Sequence, residues 1–306
     1  MRVLTAHPFP GPAWEELRDV VYAEPSELEG PREDIEALVV AGERVDGALL
    51  DRLPSLRLVA NYGVGYDRVD VGECHRRGVA VSNTPRVLDA AVADLAFGLI
   101  LAARREIVAR DSAVRRGAAR RGWAQGRLAP DVSGATIGIV GMGRIGSAVA
   151  RRALAFDMRV LYARRRTGQT TDCYKAELRG LDDLLRESDI VSVNVPLTPE
   201  TRGLIDARRL ALLRDGSCLV NTARGEVVDQ EALVRELVSG RISAGLDVFT
   251  GEPDVPEELL GLDNVVLTPH IGSATTSARE AMTRLVVENI LAVDRGDPAV
   301  TPVPAS

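Results

Sequence analysis

The sequence has few cysteines and no long hydrophobic run. Its three cysteines, Cys74, Cys173 and Cys218, lie far apart and form no C-x-x-C pair. Such an odd, scattered set argues against a disulfide framework and against a structural zinc site. The longest apolar stretch, residues 95–103, is too short to cross a membrane, and the N-terminal residues form no signal core. These absences predict a cytoplasmic enzyme or binding protein without a metal.

Lysine is almost absent as well, and acidic residues outnumber basic ones. Lys175 is the only lysine, and the chain has 38 basic against 44 acidic residues, for a net charge of −6. Because a phosphate backbone must meet a basic surface, this balance argues against nucleic acid. The arginine-rich stretch 115–130, which carries Trp123, is interpreted as a solvated surface connection. No nucleic-acid or membrane partner is therefore expected.

What the sequence does contain is an alternation of β-like and amphipathic segments. Its 306 residues suffice for two domains, and βα alternation indicates parallel sheets. The predicted fold class is therefore α/β, with two doubly wound parallel-sheet domains and a cleft between them. Strands are expected at residues 2–6, 36–40, 58–60, 79–82, 136–140, 159–162, 190–194, 217–221, 244–248 and 265–267. Helices are expected at 89–109, 145–155, 181–186 and 277–294, and helices or turns at 13–19, 31–36 and 67–77.

The last predicted helix follows the second series of strands. A helix of that length, placed after the second sheet is complete, is expected to return and pack on the first domain. The first domain is thus predicted to be discontinuous, with residues 1–98 and 277–306, and the second domain to span residues 99–276. The helix 89–109 is expected to link them.

A glycine pattern follows the first predicted strand of the second domain. Gly141, Gly143 and Gly146 form G-x-G-x-x-G, with Arg144 and Ile145 inside it, directly after a strand and at the start of a helix. The glycines permit a tight turn, a close approach of a pyrophosphate and close helix–strand packing. The helix N-terminus adds partial positive charge. This context predicts a dinucleotide site on a Rossmann fold.

The residues after the next predicted strand, 159–162, indicate whether NAD or NADP is preferred. An NAD enzyme usually has an acidic residue there, but this chain has Ala163, Arg164 and Arg165. Because arginine can pair with a 2′-phosphate that a carboxylate would repel, we expect NADP to be preferred, with NAD still possible. The alternative is a solvated arginine cluster.

Three later segments, each at a strand end, contain groups suited to reducing a 2-keto acid. A cation is needed to hold the carboxylate and carbonyl, which suits Arg224, and an acid to protonate the alkoxide, which suits His270. Glu252 could orient the imidazole and favour its charged form. Taken singly, Arg224 could be a surface ion pair, Glu252 a turn carboxylate and His270 a capping or packed residue.

The chain resembles the D-isomer-specific 2-hydroxyacid dehydrogenase family over nearly its full length. The matching segments are N-Y-G-V-G-Y-D at 61–67, N-T-P at 83–85, G-M-G-R-I-G at 141–146, V-P-L-T-P-E-T at 195–201, N-T-A-R-G-E-V-V-D at 221–229, G-L-D-V-F-T-G-E-P at 245–253 and P-H-I-G-S-A-T at 269–275. The resemblance implies that Arg224, Glu252 and His270 are catalytic. It also implies a flavodoxin-like substrate domain beside the Rossmann cofactor domain.

The same resemblance implies further site residues. Val64 and Gly65 would bind the substrate together with Arg224 and His270, through backbone N–H groups that face its carboxylate. The implied cofactor contacts include one from Asp247 to the nicotinamide amide. The others implied are Pro196, Thr201, Thr222, Ala223 and Gly272.

Within the family, the arginine cluster is similar to that of NADPH-using glyoxylate/hydroxypyruvate reductases. This implies an enzyme that reduces a small 2-keto acid, glyoxylate or hydroxypyruvate, to the 2-hydroxy acid. Family members are usually homodimers joined through the cofactor domain. Two alternatives stay open: a dinucleotide-sensing, corepressor-like binding protein, and a dehydrogenase of another small donor such as formate or phosphite.

Overall fold

Two parallel β-sheets organise the chain in the computed structural model, which describes residues 1–117, 128–164 and 175–305. The chain divides into a first unit, Met1–Leu88 with Ser273–Ser306, and a second unit, Asp89–Gly272. These boundaries fall at 88/89 and 272/273, whereas the sequence suggested 98/99 and 276/277. The difference arises because the helix that starts at Asp89 packs on the strands of the second unit.

The sheet of the first unit has five strands in the order β2-β1-β3-β4-β5, and all its pairings are parallel. The strands are β1 Val3–Thr5, β2 Val20–Tyr22, β3 Ala37–Val40, β4 Leu58–Asn61 and β5 Ala80–Ser82. This order is that of flavodoxin-like doubly wound sheets. β3 and β4 are buried along their whole length, as expected for central strands covered on both faces.

Among the residues that the structure describes, the sheet of the second unit has seven parallel strands in the order β12-β11-β10-β9-β6-β7-β8. The strands are β6 Thr136–Val140, β7 Arg159–Ala163, β8 Glu177–Leu178, β9 Ile190–Val193, β10 Cys218–Asn221, β11 Ser243–Leu246 and β12 Val265–Leu267. The order is the Rossmann order with one further strand, and it reverses between β6 and β9. The predicted fold class is confirmed for each unit by itself.

Ten α-helices occur among the described residues. They are α1 Gly47–Asp51, α2 Val71–Arg76, α3 Asp89–Arg104, α4 Ile107–Arg115, α5 Arg144–Leu154, α6 Leu181–Glu187, α7 Ala207–Leu210, α8 Gln230–Val238, α9 Glu257–Leu260 and α10 Thr276–Asp294. None of these helices combines the length and the apolar character that a membrane span would need.

The helix predicted at 89–109 is divided in the structure. α3 ends at Arg104 because Glu106 takes a left-handed conformation, with φ of 54°, before α4 begins. The buried guanidinium of Arg104 donates to the carbonyls of Asp131 and Gly216, at 3.1 and 2.9 Å. These bonds fix the end of α3 to the loops of the second unit.

α3 also packs closely on β11. A Cβ built at Gly245 would lie 2.7 Å from Leu99 Cβ, so the glycine permits this approach. Because β11 leads directly into the loop that follows Leu246, the buried helix supports the strand end where functional groups are expected.

Two edge strands, β2 and β8, were missed by the sequence interpretation. The segment 13–19, which was interpreted as a helix or a turn, is a 3₁₀ turn at Pro12–Glu16, followed by β2. Tyr22 at the end of β2 is 52% exposed, and β8 contains no buried residue. β2 and β8 have only three and two residues and no buried side chain, so they are too short to show the periodicity by which strands are recognised.

Candidate active site

The predicted catalytic and cofactor residues of the second unit follow the carboxyl ends of its strands. In an open parallel sheet these ends form one edge, and ligands bind in the crevice outside it where the strand order reverses. The glycine loop follows β6, the Arg224 segment follows β10, the Glu252 segment follows β11 and His270 follows β12. The topology therefore brings segments that are distant in sequence to one edge.

The glycine loop has the geometry that a pyrophosphate site requires. Gly141 has φ of +97°, and a Cβ there would lie 2.7 Å from Val195 Cγ1. A Cβ at Gly146 would overlap the carbonyl oxygen of Gly141, so only glycine lets α5 start this close to β6. Gly143 is the N-cap of α5 and, as a glycine, offers no side-chain acceptor to the first N–H groups of the helix. Arg144 pairs with Asp89 at 3.3 Å.

Two buried polar atoms near this loop also fit a dinucleotide. The Thr222 hydroxyl, just after β10, and the side-chain oxygen Oδ1 of Asn194, just after β9, have no hydrogen-bond partner among the described residues. Buried polar atoms are normally paired, so their position at the ligand edge suits a polar ligand. With the glycine cradle, these residues fit the predicted nicotinamide dinucleotide.

The arginine cluster is only partly described. Arg164 follows β7 directly and is half-buried, with its guanidinium 5.7 Å from the centroid of the Tyr162 ring. Arg165 lies outside the described residues, as does Trp123. The structure thus places one of the two predicted arginines at the end of the second strand of the Rossmann sheet.

The predicted loop contacts Pro196 and Thr201 are bonded to each other. The Thr201 hydroxyl donates to the carbonyl of Pro196 at 2.6 Å and accepts from the Thr198 amide at 2.8 Å. These bonds fix the loop after β9. A direct contact of Pro196 or Thr201 with the cofactor stays a prediction.

Arg224 is held in a turn built by Asn221. The Asn221 side chain donates to the Arg224 carbonyl at 2.8 Å and accepts from the Ala223 amide at 3.0 Å. A Cβ at Gly225 would overlap the backbone of Phe249, so this turn packs directly against the segment after β11. Arg224 itself is half-buried, and its guanidinium donates to the Ala223 carbonyl at 2.8 Å.

His270 and Glu252 form a hydrogen-bonded pair. His270 Nδ1 lies 2.8 Å from Glu252 Oε2, and the other carboxylate oxygen accepts from the Phe249 amide at 2.9 Å. The His270 side chain is 46% exposed and that of Glu252 only 24%. The carboxylate therefore fixes one ring nitrogen, while the imidazole stays accessible to a substrate.

The pKa of Glu252 reflects this setting. Partial burial pushes it upward, but the hydrogen bonds from His270 and Phe249 and the positive charges of His270 and Arg224 outweigh burial, so the pKa of Glu252 is lowered. Glu252 is thus a carboxylate at neutral pH. The charge of Arg224 acts on the same group, which connects all three predicted catalytic residues.

The loop of His270 is bonded to a buried acid. Asp247, only 1% exposed, accepts from the Thr268 hydroxyl and from the amides of Ile271 and Gly272, at 2.6, 2.8 and 2.9 Å. Burial raises the pKa of Asp247, although these hydrogen bonds oppose the shift. Thr268 was missed by the sequence interpretation. Only its position, two residues before His270, marks it in the sequence.

Val64 and Gly65 belong to the first unit, in the loop after β4. The Asn61 side chain donates to the carbonyls of Gly63 and Gly65, both at 3.0 Å, and Asn83 donates to the Val64 carbonyl at 2.9 Å. The three carbonyls are thus fixed by side-chain amides. The predicted donation from the Val64 and Gly65 amides to a substrate carboxylate stays a prediction.

Comparisons with known proteins support this interpretation. The family model described as D-isomer specific 2-hydroxyacid dehydrogenase, NAD binding domain, matches residues 97–272. A glyoxylate reductase of Pyrococcus furiosus is 50% identical over 298 residues, covering 93% of this chain and 86% of the relative. A glyoxylate reductase of Thermococcus gammatolerans is 51% identical over 287 residues, covering 89% and 86%.

A solved structure agrees with these relatives. The NADPH-dependent glyoxylate/hydroxypyruvate reductase of Sinorhizobium meliloti, in complex with NADP and malonate, is similar with a TM-score of 0.90. It is 37% identical, and the match covers 99% of this chain and 97% of that one. The predicted likeness to glyoxylate/hydroxypyruvate reductases is confirmed. The chain belongs to the D-isomer-specific 2-hydroxyacid dehydrogenase family and is an NAD(P)-dependent oxidoreductase.

Proposed function

We propose that this protein reduces glyoxylate or hydroxypyruvate to the corresponding 2-hydroxy acid, with NADPH as the preferred reductant. The observation that carries the proposal is the 2.8 Å pair of His270 and Glu252 at the strand edge that also presents Arg224. A proton donor, a carboxylate that orients it and a cation are the groups that keto-acid reduction needs. The named relatives act on glyoxylate or hydroxypyruvate.

Each of the three residues has one role in the proposed reaction. When bound, the reduced nicotinamide supplies the hydride that adds to C2 of the keto acid. Arg224 holds the carboxylate and the carbonyl oxygen and stabilises negative charge on that oxygen as it develops. His270 donates the proton of Nε2 to the same oxygen and becomes a neutral imidazole. Glu252 keeps the Nδ1 proton in place, so that Nε2 is the nitrogen that exchanges a proton.

The proposed preference for NADPH rests on Arg164. Its guanidinium stands directly after β7, where a carboxylate would bind the ribose hydroxyls of NADH. A fixed guanidinium can instead pair with the 2′-phosphate. The Sinorhizobium meliloti relative is NADPH-dependent and was solved with NADP. Thr222, Ala223, Gly272 and the glycine loop are proposed to contact the rest of the cofactor.

A kinetic panel on the purified protein tests this function. We expect turnover of glyoxylate and hydroxypyruvate in preference to pyruvate and bulkier 2-keto acids, and a higher kcat/KM for NADPH than for NADH. Arg164→Ala should lower kcat/KM for NADPH by about ten- to a hundredfold, the equivalent of one charged hydrogen-bonding pair, with little effect on NADH. Absence of NADPH or NADH oxidation with every keto acid would refute the proposal.

We also propose that the protein is a homodimer joined through the second unit. α4 contains no buried residue, and Ile107, Val108 and Val114 on it are 51%, 51% and 59% exposed. Exposed apolar side chains grouped on one helix indicate a surface that a partner covers. This helix lies in the cofactor-binding unit, through which dimers of the family are expected to form.

Sedimentation equilibrium tests the dimer. We expect twice the 32.8 kDa mass of the chain, and a shift toward the single chain for Ile107→Glu, because burying a carboxylate in an apolar interface is costly. Val238→Glu is the matched control, since Val238 is 57% exposed on α8. A wild-type protein that sediments as a single chain, or an Ile107→Glu variant that dimerises like wild type, would contradict the proposal.

A cytoplasmic location is proposed as well. Cys74 and Cys218 are buried free thiols, and burial raises the pKa of both to about 11. Protonated, buried thiols of this kind suit a reducing compartment.

A further inference from the structure

The backbone at His270 has an unusual conformation for a residue with a side chain. His270 has φ of 52°, in the left-handed region, where the Cβ crowds the following carbonyl oxygen. Such a conformation persists only where surrounding contacts hold it. The direction of the imidazole depends on the φ and ψ angles of His270. Contacts that fix the backbone at this residue therefore also fix the direction of the ring.

Asp247 supplies those contacts, and it does so on both sides of His270. Before His270, the Thr268 hydroxyl donates to Asp247 Oδ1 at 2.6 Å. After it, the Ile271 amide donates to the same oxygen at 2.8 Å and the Gly272 amide to Oδ2 at 2.9 Å. The amide of His270 itself donates to the Asp247 carbonyl at 2.9 Å. One residue thus binds the loop at four successive points around the imidazole.

The chemistry of these bonds requires a carboxylate. All three partners of the Asp247 side chain are donors, and a carboxylate accepts without donating. A Cβ at Gly272 would lie 3.2 Å from Asp247 Oδ2, so glycine at this position permits the close approach. The side chain is almost wholly buried, at 1% exposed, and its hydrogen bonds are therefore shielded from competition by water.

The partner of the imidazole is fixed separately. Glu252 is held by the Phe249 amide, two residues after Asp247. The 2.8 Å bond between His270 and Glu252 therefore forms only if the His270 loop and the segment after β11 keep their relative position. Asp247 belongs to that segment and bonds to the loop, which makes it the direct link between the two.

We propose that Asp247 and Thr268 are positioning residues that hold His270 in its left-handed conformation and thereby aim its imidazole at Glu252 and the substrate. This role is distinct from the nicotinamide contact that the family resemblance implies for Asp247, and it rests on the proposed keto-acid reduction. Thr268 is not among the predicted cofactor or substrate contacts, and its hydroxyl donates to Asp247. Removal of this hydroxyl therefore tests the positioning role without removing a predicted cofactor contact.

Substitutions at Thr268 test the proposal. Thr268→Val removes the hydroxyl and keeps the shape, so we expect kcat with glyoxylate to fall about tenfold, the equivalent of one hydrogen bond. The NADPH dissociation constant, measured by fluorescence without substrate, should stay within about twofold, since no cofactor contact is lost. Thr268→Ser, which keeps the donor, should recover most of kcat. Thr268→Ala repeats the test if the valine variant has a lowered Tm.

A magnetic resonance measurement gives a readout that does not depend on turnover. The Nδ1 proton of His270, bonded to Glu252, should give a downfield proton resonance in the free protein, assigned by its loss in His270→Ala. We expect Thr268→Val to broaden or remove it and Thr268→Ser to retain it. If wild-type protein reduces no keto acid but this pattern holds, the proposed function fails while the positioning role stands.

Asp247→Asn distinguishes positioning from a nicotinamide contact. The amide nitrogen it introduces would face a donor N–H, so we expect kcat to fall by about a hundredfold or more. The decrease in kcat should be the same with NADPH and with its 3-acetylpyridine analogue, in which an acetyl group replaces the nicotinamide carboxamide. A loss seen only with NADPH would overturn the proposal. So would a Thr268→Val variant that binds NADPH more weakly but retains wild-type kcat and the downfield resonance.

Discussion

His270→Ala is expected to lower kcat for glyoxylate and hydroxypyruvate by about 10²–10⁴, the usual range for a lost general acid. In the proposed reaction His270 is the residue that protonates the new alkoxide, and water would have to replace it. Because the imidazole is 46% exposed, its removal leaves no large cavity, and the fold should persist. Single-turnover kinetics at saturating NADPH measure the chemical step directly.

Two further variants show whether the loss comes from proton donation. His75→Ala, on α2 of the first unit, removes a histidine without a proposed role, and kcat should stay within about twofold. Glu252→Gln should reduce kcat less than His270→Ala does, because the ring remains but loses the charged acceptor that fixes its Nδ1 proton. Near-normal kcat in His270→Ala would remove this residue from the mechanism.

The position of the three proposed catalytic residues at one edge of the sheet could be predicted from the sequence because each lies in a segment that follows a strand. Parallel strands end at one edge, so Arg224, Glu252 and His270 had to approach one another once the strand positions were known. The strands were recognisable because central strands such as β9 and β10 are mostly apolar and are buried along their whole length. That topology brings the segments of His270 and Glu252 to one edge, but it does not by itself set the 2.8 Å contact between the two side chains.

Other features depend on hydrogen bonds between residues that no local pattern relates. Thr268 reaches Asp247 across 21 positions of sequence, and nothing in the intervening segment indicates the bond. The left-handed backbone of His270 is likewise invisible in the sequence, because histidine does not mark such a position as glycine does. The break between α3 and α4 was missed for the same reason, since Glu106 carries the positive φ.

Arg224→Ala is expected to lower kcat/KM for glyoxylate by about 10²–10⁴, with both a higher KM and a lower kcat. The double effect follows because the guanidinium holds the substrate carboxylate in the ground state and the developing alkoxide in the transition state. Steady-state kinetics over a wide range of glyoxylate concentrations separate the two parameters. A change in KM alone would restrict Arg224 to binding.

Two variants serve as comparisons for Arg224→Ala, namely Arg224→Lys and Arg235→Ala. Lysine keeps the positive charge but loses the planar fork, so an intermediate loss of kcat/KM is expected. Arg235 is exposed on α8, and its removal should change kcat/KM little.

The charge of Arg224 also helps to lower the pKa of Glu252. Arg224→Ala should therefore raise that pKa and move the acid limb of the kcat profile to higher pH, while Arg224→Lys should leave it nearly in place. An acid limb that moves equally in both variants would show that the guanidinium acts on Glu252 by some means other than its charge.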